Sequence, residues 1–268
     1  MDNSILLANK IRARVLTMNH YANASHSGGA LSMTDILAVL YEKVLKIYPK
    51  EPKHPERDRL LLSKGHAGSA LYAVLALKGF FEESNLDTYS QNGSKFITHV
   101  SHSVPGVELS TGSLGHALSV GCGIALAAKR QKKSFKTFVL VSDGELDEGS
   151  NWEAILFAPH NKLDNLTLIV DYNKIQSLGN VDDVLALEPL KRKFESFNWE
   201  TIEIDGHNHM AIFNALISKK KATKPKVIIA NTIKGKGIDY MENKLLWHYK
   251  SPNKEQLDNA LNQLAKDI

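Results

Sequence analysis

Cysteine is nearly absent from this sequence, since Cys122 is the single one among 268 residues. One cysteine excludes an internal disulfide and any metal cage built from thiolates, and it favours a reducing compartment. Long hydrophobic runs are missing as well. Residues 5–7 are apolar, but Lys10, Arg12 and Arg14 follow so closely that no signal-peptide core forms. Because no stretch approaches the length of a membrane span, we expect a cytoplasmic protein without a membrane partner.

A strong charge of either sign is also lacking, because the formal net charge is only +4. The short cluster Lys219-Lys220-Lys221 has no interleaved aromatic residues, so it indicates a solvated face rather than a nucleic-acid site. Hydrophobic residues at 43% and charged residues at 23% are typical of a soluble globule with a sizeable core. No repeat or linker divides the chain, and we therefore expect one domain over residues 1–268.

Short buried runs alternate along the chain with segments of helical spacing. Strands are predicted at residues 60–63, 137–141, 166–170, 201–204 and 226–233, and helices at residues 4–22, 34–45, 70–77, 117–128, 150–163, 188–197, 209–220 and from 254 onward. Residues 26–29 are predicted to interrupt the first helical region, and residues 179–187 to form an irregular loop. This alternation predicts an α/β fold: a doubly wound, mostly parallel sheet with helices on both faces.

Two of the predicted strands end in polar residues that suit a metal ion and a phosphate. Asp143 and Gly144 follow one strand, and Asn173 follows the next, 173 − 143 = 30 positions later. A strand, a helix and a strand of this length form the crossover of a parallel sheet, which places both strand ends at the edge where such sheets bind ligands. Carboxylate and amide oxygens suit a hard cation, and Gly144 allows a ligand close to the backbone. The spacing therefore suggests Mg²⁺ carrying a diphosphate.

Several separated motifs occur in one order over nearly the whole chain. They are residues 25–33, residues 62–67, residues 105–115, residues 143–145 with 173–175, and residues 232–237 with Trp247 and His248. Together they resemble the N-terminal half of transketolase, with its thiamine-diphosphate motif. The resemblance implies the thiamine-diphosphate-binding fold, in which this domain holds the diphosphate end of the cofactor.

The resemblance also implies roles for individual residues. Asp143, the Asn173 side chain and the Ile175 carbonyl would bind Mg²⁺, or Ca²⁺ or Mn²⁺ in its place. The residues expected to bind the cofactor are His66, Gly112, Ser113, Leu114, Asp143, Gly144, Glu145, Asn173, Ile175 and His248. His26, His66, His99 and His248 are expected to act in catalysis by hydrogen bonding and proton shuttling, which suits imidazole near neutral pH. His102 is a near neighbour that could take the place of His99.

Other histidines and two glutamates lack this support. We interpret five histidines as exposed helix or loop residues: His20, His54, His160, His207 and His209. His116 is intermediate because it adjoins the loop at residues 112–115. Ser150 and Glu153 have the spacing of a helix capping box, whereas the resemblance places Glu148 and Glu153 in an acidic network at a subunit interface. The two interpretations of Glu153 are compatible.

The resemblance implies an enzyme that needs a second chain. Transketolase uses a further domain whose glutamate activates the cofactor, and nothing after Asn231 has room for that domain. We therefore expect the N-terminal subunit of a split transketolase, which transfers a two-carbon ketol unit from a ketose or ketose phosphate to an aldose. Its partner would be a C-terminal transketolase-like subunit, and the pair would form a heterotetramer.

Two departures from the family pattern leave other functions open. Ser142 stands where the family has glycine, and residues 176–179 replace an apolar residue followed by Asp-Gly. A thiamine-diphosphate enzyme that breaks or forms C–C bonds in a specialised or nucleotide-linked sugar is one alternative. A non-catalytic cofactor-binding subunit is another.

Overall fold

A computed structural model describes residues 2–218 and 223–266 of the chain. Within these ranges there is one parallel sheet, with strand order β1-β2-β3-β5-β4. The strands are β1 (Arg59–Leu62), β2 (Thr137–Ser142), β3 (Leu166–Tyr172), β4 (Glu200–Asp205) and β5 (Lys226–Asn231). The parallel α/β prediction is therefore confirmed.

Helices connect these strands and flank the sheet. They are α1 (Asn3–Tyr21), α2 (Ser27–Ser32), α3 (Thr34–Val39, continued by a π turn at Leu40–Val44), α4 (Gly68–Leu77), α5 (Ala117–Arg130), α6 (Gly149–His160), α7 (Val181–Val184), α8 (Leu190–Ser196), α9 (His209–Ile217) and α10 (Lys254–Lys266). Shorter 3₁₀ turns lie at Gly65–Ala67, Glu83–Thr88, Gly144–Asp147 and Leu245–His248. In the part of the chain that the structure describes, none of the helices is long and apolar enough to cross a bilayer.

Side chains of the central strands alternate between two hydrophobic cores. Phe138 and Leu140 pack with α1, α3, α4, α9 and α10. Val139 and Val141 point to the other face, where α5, α6 and α8 cover them. Because helices bury both faces, these strands are apolar at nearly every position. Gly121 of α5 lies so close to the sheet that a Cβ atom there would be 2.5 Å from Val139, which explains the small residues of this helix.

Three local predictions differ from the structure. The break after α1 lies at residues 22–26 and ends at His26, which has a left-handed conformation (φ 72°), whereas residues 27–29, predicted as part of the break, belong to α2. Residues 181–184 form the short helix α7 within the predicted loop. Ser150 does not cap α6, since its hydroxyl donates to the Gly115 carbonyl at 2.7 Å, and Glu148 occupies the N-cap position. The end of the predicted helix at 209–220 and the cluster Lys219-Lys220-Lys221 lie outside the described residues.

The strand β4 forms one edge of the sheet and pairs there with β5 alone. Ile202 and Ile204 pack partly against the core, while Glu203 and Asp205 are exposed. This edge is therefore apolar towards the core and acidic towards solvent.

Candidate active site

The carboxyl ends of β1, β2, β3 and β5 lead into one cavity of about 200 Å³. The predicted site residues that line it are His26, His66, His99, Gly112, Leu114, Asp143, Gly144, Asn173, Ile175 and His248. Carboxyl ends of parallel strands share one edge of a sheet, which is why residues far apart in sequence meet here. Gly112 fits against the ring of His99, since a Cβ atom there would lie 3.2 Å from the ring.

Four imidazole rings form a cluster on one side of the cavity. The ring centre of His26 lies 5.1 Å from that of His66, 6.1 Å from that of His99 and 4.9 Å from that of His248. The backbone N–H of His26 donates to the His248 carbonyl at 3.1 Å, which ties α2 to the C-terminal part of the site. The sequence alone does not predict this contact, because His26 and His248 lie near opposite ends of the chain.

Three of these imidazoles are held neutral near pH 7. Burial, with nearby His99 and Lys234, lowers the pKa of His26 to about 4. Burial and Lys234 lower the pKa of His248 to about 3, and burial holds the pKa of His66 well below its ordinary value. A neutral imidazole carries one N–H donor and one acceptor nitrogen. These rings can therefore both donate hydrogen bonds to sugar oxygens and accept hydrogen bonds from sugar hydroxyls.

Residues with oxygen ligands also line the cavity. The Asp143 carboxylate accepts the backbone N–H of Gly144 at 2.8 Å and that of Lys174 at 2.5 Å. The amide oxygen of Asn173 accepts the Ile175 N–H at 3.2 Å. Carboxylate, amide and carbonyl oxygens side by side suit a hard divalent cation, which leaves further positions for water and phosphate oxygens.

Lys234 reaches into this group of oxygens. Its ammonium donates to the Ile175 carbonyl at 2.8 Å and lies 3.1 Å from Nδ1 of His248. Burial and the nearby Lys64 lower the pKa of Lys234 to about 8. This lysine therefore links the Ile175 carbonyl to the imidazole of His248, and it brings a cation into the cavity.

A buried ion pair lies beneath the cavity and was not predicted. Lys64 donates to Asp171, whose carboxylate also accepts the hydroxyls of Ser32, at 2.6 Å, and Thr232. Both charged side chains are almost completely buried. Although burial alone would raise the pKa of Asp171, the Lys64 ammonium lowers it below its ordinary value.

Asp143 stands in contrast to Asp171. Burial and the neighbouring Asp171 carboxylate raise the pKa of Asp143 to about 6. Asp171 thus has a direct cationic partner, Lys64, whereas the Asp143 carboxylate bonds only backbone N–H groups of the protein. A carboxylate in this condition fits a bound cation, because a cation favours the ionised form.

Glu145 and Ser113 do not line the cavity. Glu145 is fully buried, and its carboxylate accepts the hydroxyl of Ser63 and the backbone N–H of Gly115, the latter at 2.8 Å. Glu145 therefore fastens the loop at residues 112–115 to the end of β2, and its effect on a ligand is indirect. Ser113 is exposed on that loop, and a cofactor contact by Ser113 stays a prediction.

The remaining histidines divide into two groups. His207 and His209 are not exposed as predicted, since both rings bond the buried carboxylate of Asp35. His102 is exposed and bonds Ser110, so it does not take the place of His99 in the cavity. His116 is exposed, and His160 is exposed as predicted. His20 and His54 are half-buried instead of exposed, since the His20 ring bonds the Pro252 carbonyl and the His54 ring stacks on Tyr48.

Parallel α/β sheets bind ligands and cofactors at the carboxyl ends of their strands, and the cavity lies at this edge. The family described as the thiamine diphosphate binding domain of transketolase matches residues 4–265, so the chain belongs to that family.

Relatives are similar over nearly the whole chain. It is 44% identical to an apulose-4-phosphate transketolase subunit of Actinobacillus succinogenes, covering 97% of this chain and 95% of that protein. It is 42% identical to a 6-deoxy-6-sulfo-D-fructose transketolase subunit of a Clostridium species, covering 97% and 95%. The solved transketolase of Leishmania mexicana superposes with a TM-score of 0.94 at 27% identity, covering 99% of this chain. The chain spans 42% of the length of that transketolase.

Proposed function

We propose that this chain is a single-domain, diphosphate-binding subunit of a split transketolase, which transfers a two-carbon ketol unit from a ketose or ketose phosphate to an aldose. The observation that carries the proposal is the meeting of four imidazoles with a cluster of oxygen ligands in one cavity. Membership of the transketolase family gives this arrangement its chemical context.

Thiamine diphosphate would supply a thiazolium that stabilises the carbanion left when a ketose C–C bond breaks. Asp143, Asn173 and the Ile175 carbonyl would hold Mg²⁺, or Ca²⁺ or Mn²⁺ in its place, because all three residues line the cavity and carry oxygen ligands. Lys234, and Lys64 beneath it, would set positive charge near the diphosphate.

The imidazoles would bind and orient the sugar. His26, His99 and His248 would donate hydrogen bonds to hydroxyl and carbonyl oxygens, and their bare nitrogens would take protons from hydroxyl groups. The lowered pKa values of His26 and His248 keep these two rings neutral near pH 7, which suits the hydrogen bonding, while proton transfer would require a bound ligand that raises their basicity. His66 lies among cationic and imidazole neighbours and would contact the cofactor.

The proposal includes a partner, a C-terminal transketolase-like subunit that carries the activating glutamate. The A. succinogenes and Clostridium relatives are both named as subunits. Exposed apolar side chains on α5 and α6, namely Val120, Leu156 and Phe157, offer a surface for another chain, and Glu153 is exposed beside them. A heterotetramer in the cytoplasm, with active sites between subunits, completes the proposal.

A specialised sugar as substrate is a second candidate. The two relatives are named for apulose 4-phosphate and for 6-deoxy-6-sulfo-D-fructose. In this chain Ser177 lines the cavity and Leu178 is 78% exposed at its mouth, in the segment that departs from the family pattern. Side chains at a cavity mouth contact the variable end of a substrate, so this segment would adjust the enzyme to such a sugar.

The test compares this chain, a co-expressed C-terminal half, and the purified pair, each with thiamine diphosphate and Mg²⁺. Ketoses, ketose phosphates and nucleotide-linked sugars are offered with aldose acceptors, and products are followed by mass spectrometry. We expect transfer only from the pair, and its loss in Asp143→Asn. Full activity of this chain alone would refute the split. Cofactor binding by the pair without transfer from any sugar would favour the non-catalytic alternative.

A further inference from the structure

A second cluster of charged and imidazole side chains lies outside the cavity, around Asp35 of α3. The Asp35 carboxylate accepts hydrogen bonds from Arg12 Nη2 at 2.6 Å, His207 Nδ1 at 2.7 Å and His209 Nε2 at 3.1 Å. Its side chain is 7% exposed. Burial alone would raise the pKa of Asp35, but the Arg12 guanidinium and the two imidazoles hold it well below its ordinary value. Asp35 is therefore ionised, and its carboxylate bonds three side chains at once.

Two of these three partners also hold one backbone segment, residues 233–236. The Ile233 N–H donates to Nε2 of His207 at 2.8 Å. Because that nitrogen accepts, the ring proton must lie on Nδ1, from which it is donated to Asp35. Arg12 Nε donates to the Lys236 carbonyl at 3.1 Å. Asp35 is thus connected to both ends of the segment, to Ile233 through His207 and to Lys236 through Arg12.

Lys234 lies between those two attachments. Gly237 has a φ of +91°, and a Cβ atom there would be 2.8 Å from Arg12 Nε, so the guanidinium lies directly against this turn. A Cβ atom at Gly28 would lie 3.0 Å from Cγ of Lys234, which shows that the lysine stem is packed along α2. A shift of the backbone at Ile233 or Lys236 would therefore move the Lys234 ammonium.

We propose that Asp35, acting through His207 and Arg12, is a positioning residue that aims Lys234 at the diphosphate end of the cavity; this rests on the proposed cofactor site. His207 is the link that this chain can test most sharply. His209 bonds the same carboxylate, but its other nitrogen meets the Ser4 hydroxyl at 2.8 Å instead of the 233–236 segment. It therefore serves as a matched control.

The experiment measures the binding of Mg²⁺ with thiamine diphosphate, and of Mg²⁺ with inorganic diphosphate, to the full chain by calorimetry. We expect His207→Ala to weaken both ligands about ten-fold, or about 1.4 kcal/mol. His209→Ala should stay within about two-fold of the wild type, because it leaves the segment attached. Equal losses in the two variants, or unchanged binding in His207→Ala, would overturn the proposal.

Two conservative variants separate positioning from general stability and replace His207→Ala if it folds poorly. A glutamine at 207 can place an oxygen near the Nε2 position and accept the Ile233 N–H. An asparagine reaches only the Nδ1 position, which keeps Asp35 but loses Ile233. We expect His207→Gln, which keeps the bond to Ile233 but loses the bond to Asp35, to bind more weakly than the wild type and more tightly than His207→Ala. His207→Asn should bind as weakly as His207→Ala, and wild-type binding by His207→Gln would show that Asp35 does not act through this residue. The reverse order, or identical binding by both, would refute the role. These readouts do not require ketol transfer, so a failure of the proposed activity would be seen separately.

Discussion

The histidines of the cavity and the histidines around Asp35 form two clusters with opposite electrostatic surroundings. In the cavity, the imidazoles of His26 and His248 bond Ser25 and Lys234, and burial among cations lowers their pKa values. Around Asp35, His207 and His209 bond a carboxylate. The first cluster leaves imidazole nitrogens facing open space, whereas the second uses them for fixed contacts. Imidazole side chains are thus available to a ligand in the cavity, whereas around Asp35 they stabilise the fold.

The largest effect should come from removing the anchor of the second cluster. Asp35→Ala leaves the Arg12 guanidinium, 6% exposed, without its carboxylate. We expect a loss of about 3–5 kcal/mol in the free energy of unfolding, because a buried charge loses its partner. Urea unfolding measures this. Asp258→Ala breaks the exposed pair with Lys254 and should have no measurable effect on stability, because solvent screens an exposed pair. A loss below about 1 kcal/mol in Asp35→Ala would contradict the buried anchor.

A smaller effect should separate a cavity histidine from its sequence neighbour. His99→Ala in the assembled pair should lower kcat/KM about ten- to a hundred-fold, because it removes the hydrogen bond that we propose His99 makes to the substrate. His102→Ala should leave kcat/KM within about two-fold, since its ring is exposed and bonds Ser110. Steady-state kinetics at saturating cofactor provide the measurement. A greater loss from His102→Ala than from His99→Ala would show that His102, and not His99, acts in the site.

The smallest effect concerns acid stability. His26 has its pKa lowered from 6.5 to about 4, so below pH 6.5 protons bind the unfolded chain first. Its contribution to stability is therefore complete above pH 6.5 and declines as the pH falls towards 4. The shift of 6.5 − 4 = 2.5 is worth roughly 3 kcal/mol. Partial exposure of the ring reduces this to about 1–2 kcal/mol.

Unfolding titrations of the wild type and of His26→Gln between pH 7 and pH 4 test this expectation. The variant should lose about 1–2 kcal/mol less than the wild type over that interval. His160→Gln, at an exposed position of α6, should follow the wild-type curve. Parallel curves for the wild type and His26→Gln would show that the cavity does not disfavour the charged ring.

The fold is predictable where burial dominates, and prediction fails where local contacts decide. The apolar runs of β2 and β3 identify buried strands because both of their faces are covered. Gly28 and Gly29 suggest that the break after α1 extends over them because glycine disfavours helices, yet α2 is completely buried and packing overrides that preference. Ser150 has the spacing of a cap, but the chain brings Gly115 within reach of its hydroxyl.

The sequence predicts the site residues that belong to local motifs, but it does not predict the contacts between residues that are distant in sequence. Asp143 and Asn173 follow from strand ends and motif spacing, and both line the cavity. Lys64 and Asp171 are 107 positions apart, so nothing local marks them as a pair. His207 likewise lies 172 positions from Asp35. Lys234 stands within a recognised motif, but its reach to the Ile175 carbonyl depends on how α2 and β5 pack.

The acidic edge at β4 has a consequence for how copies of this protein meet. An edge strand offers unpaired backbone groups on which a further strand could form, and charged side chains discourage that growth. Glu203 and Asp205 place like charges along this edge, so a second β4 approaching it would meet electrostatic repulsion. Strand-to-strand fusion of sheets through β4, the route by which open sheets form aggregates, is thereby disfavoured.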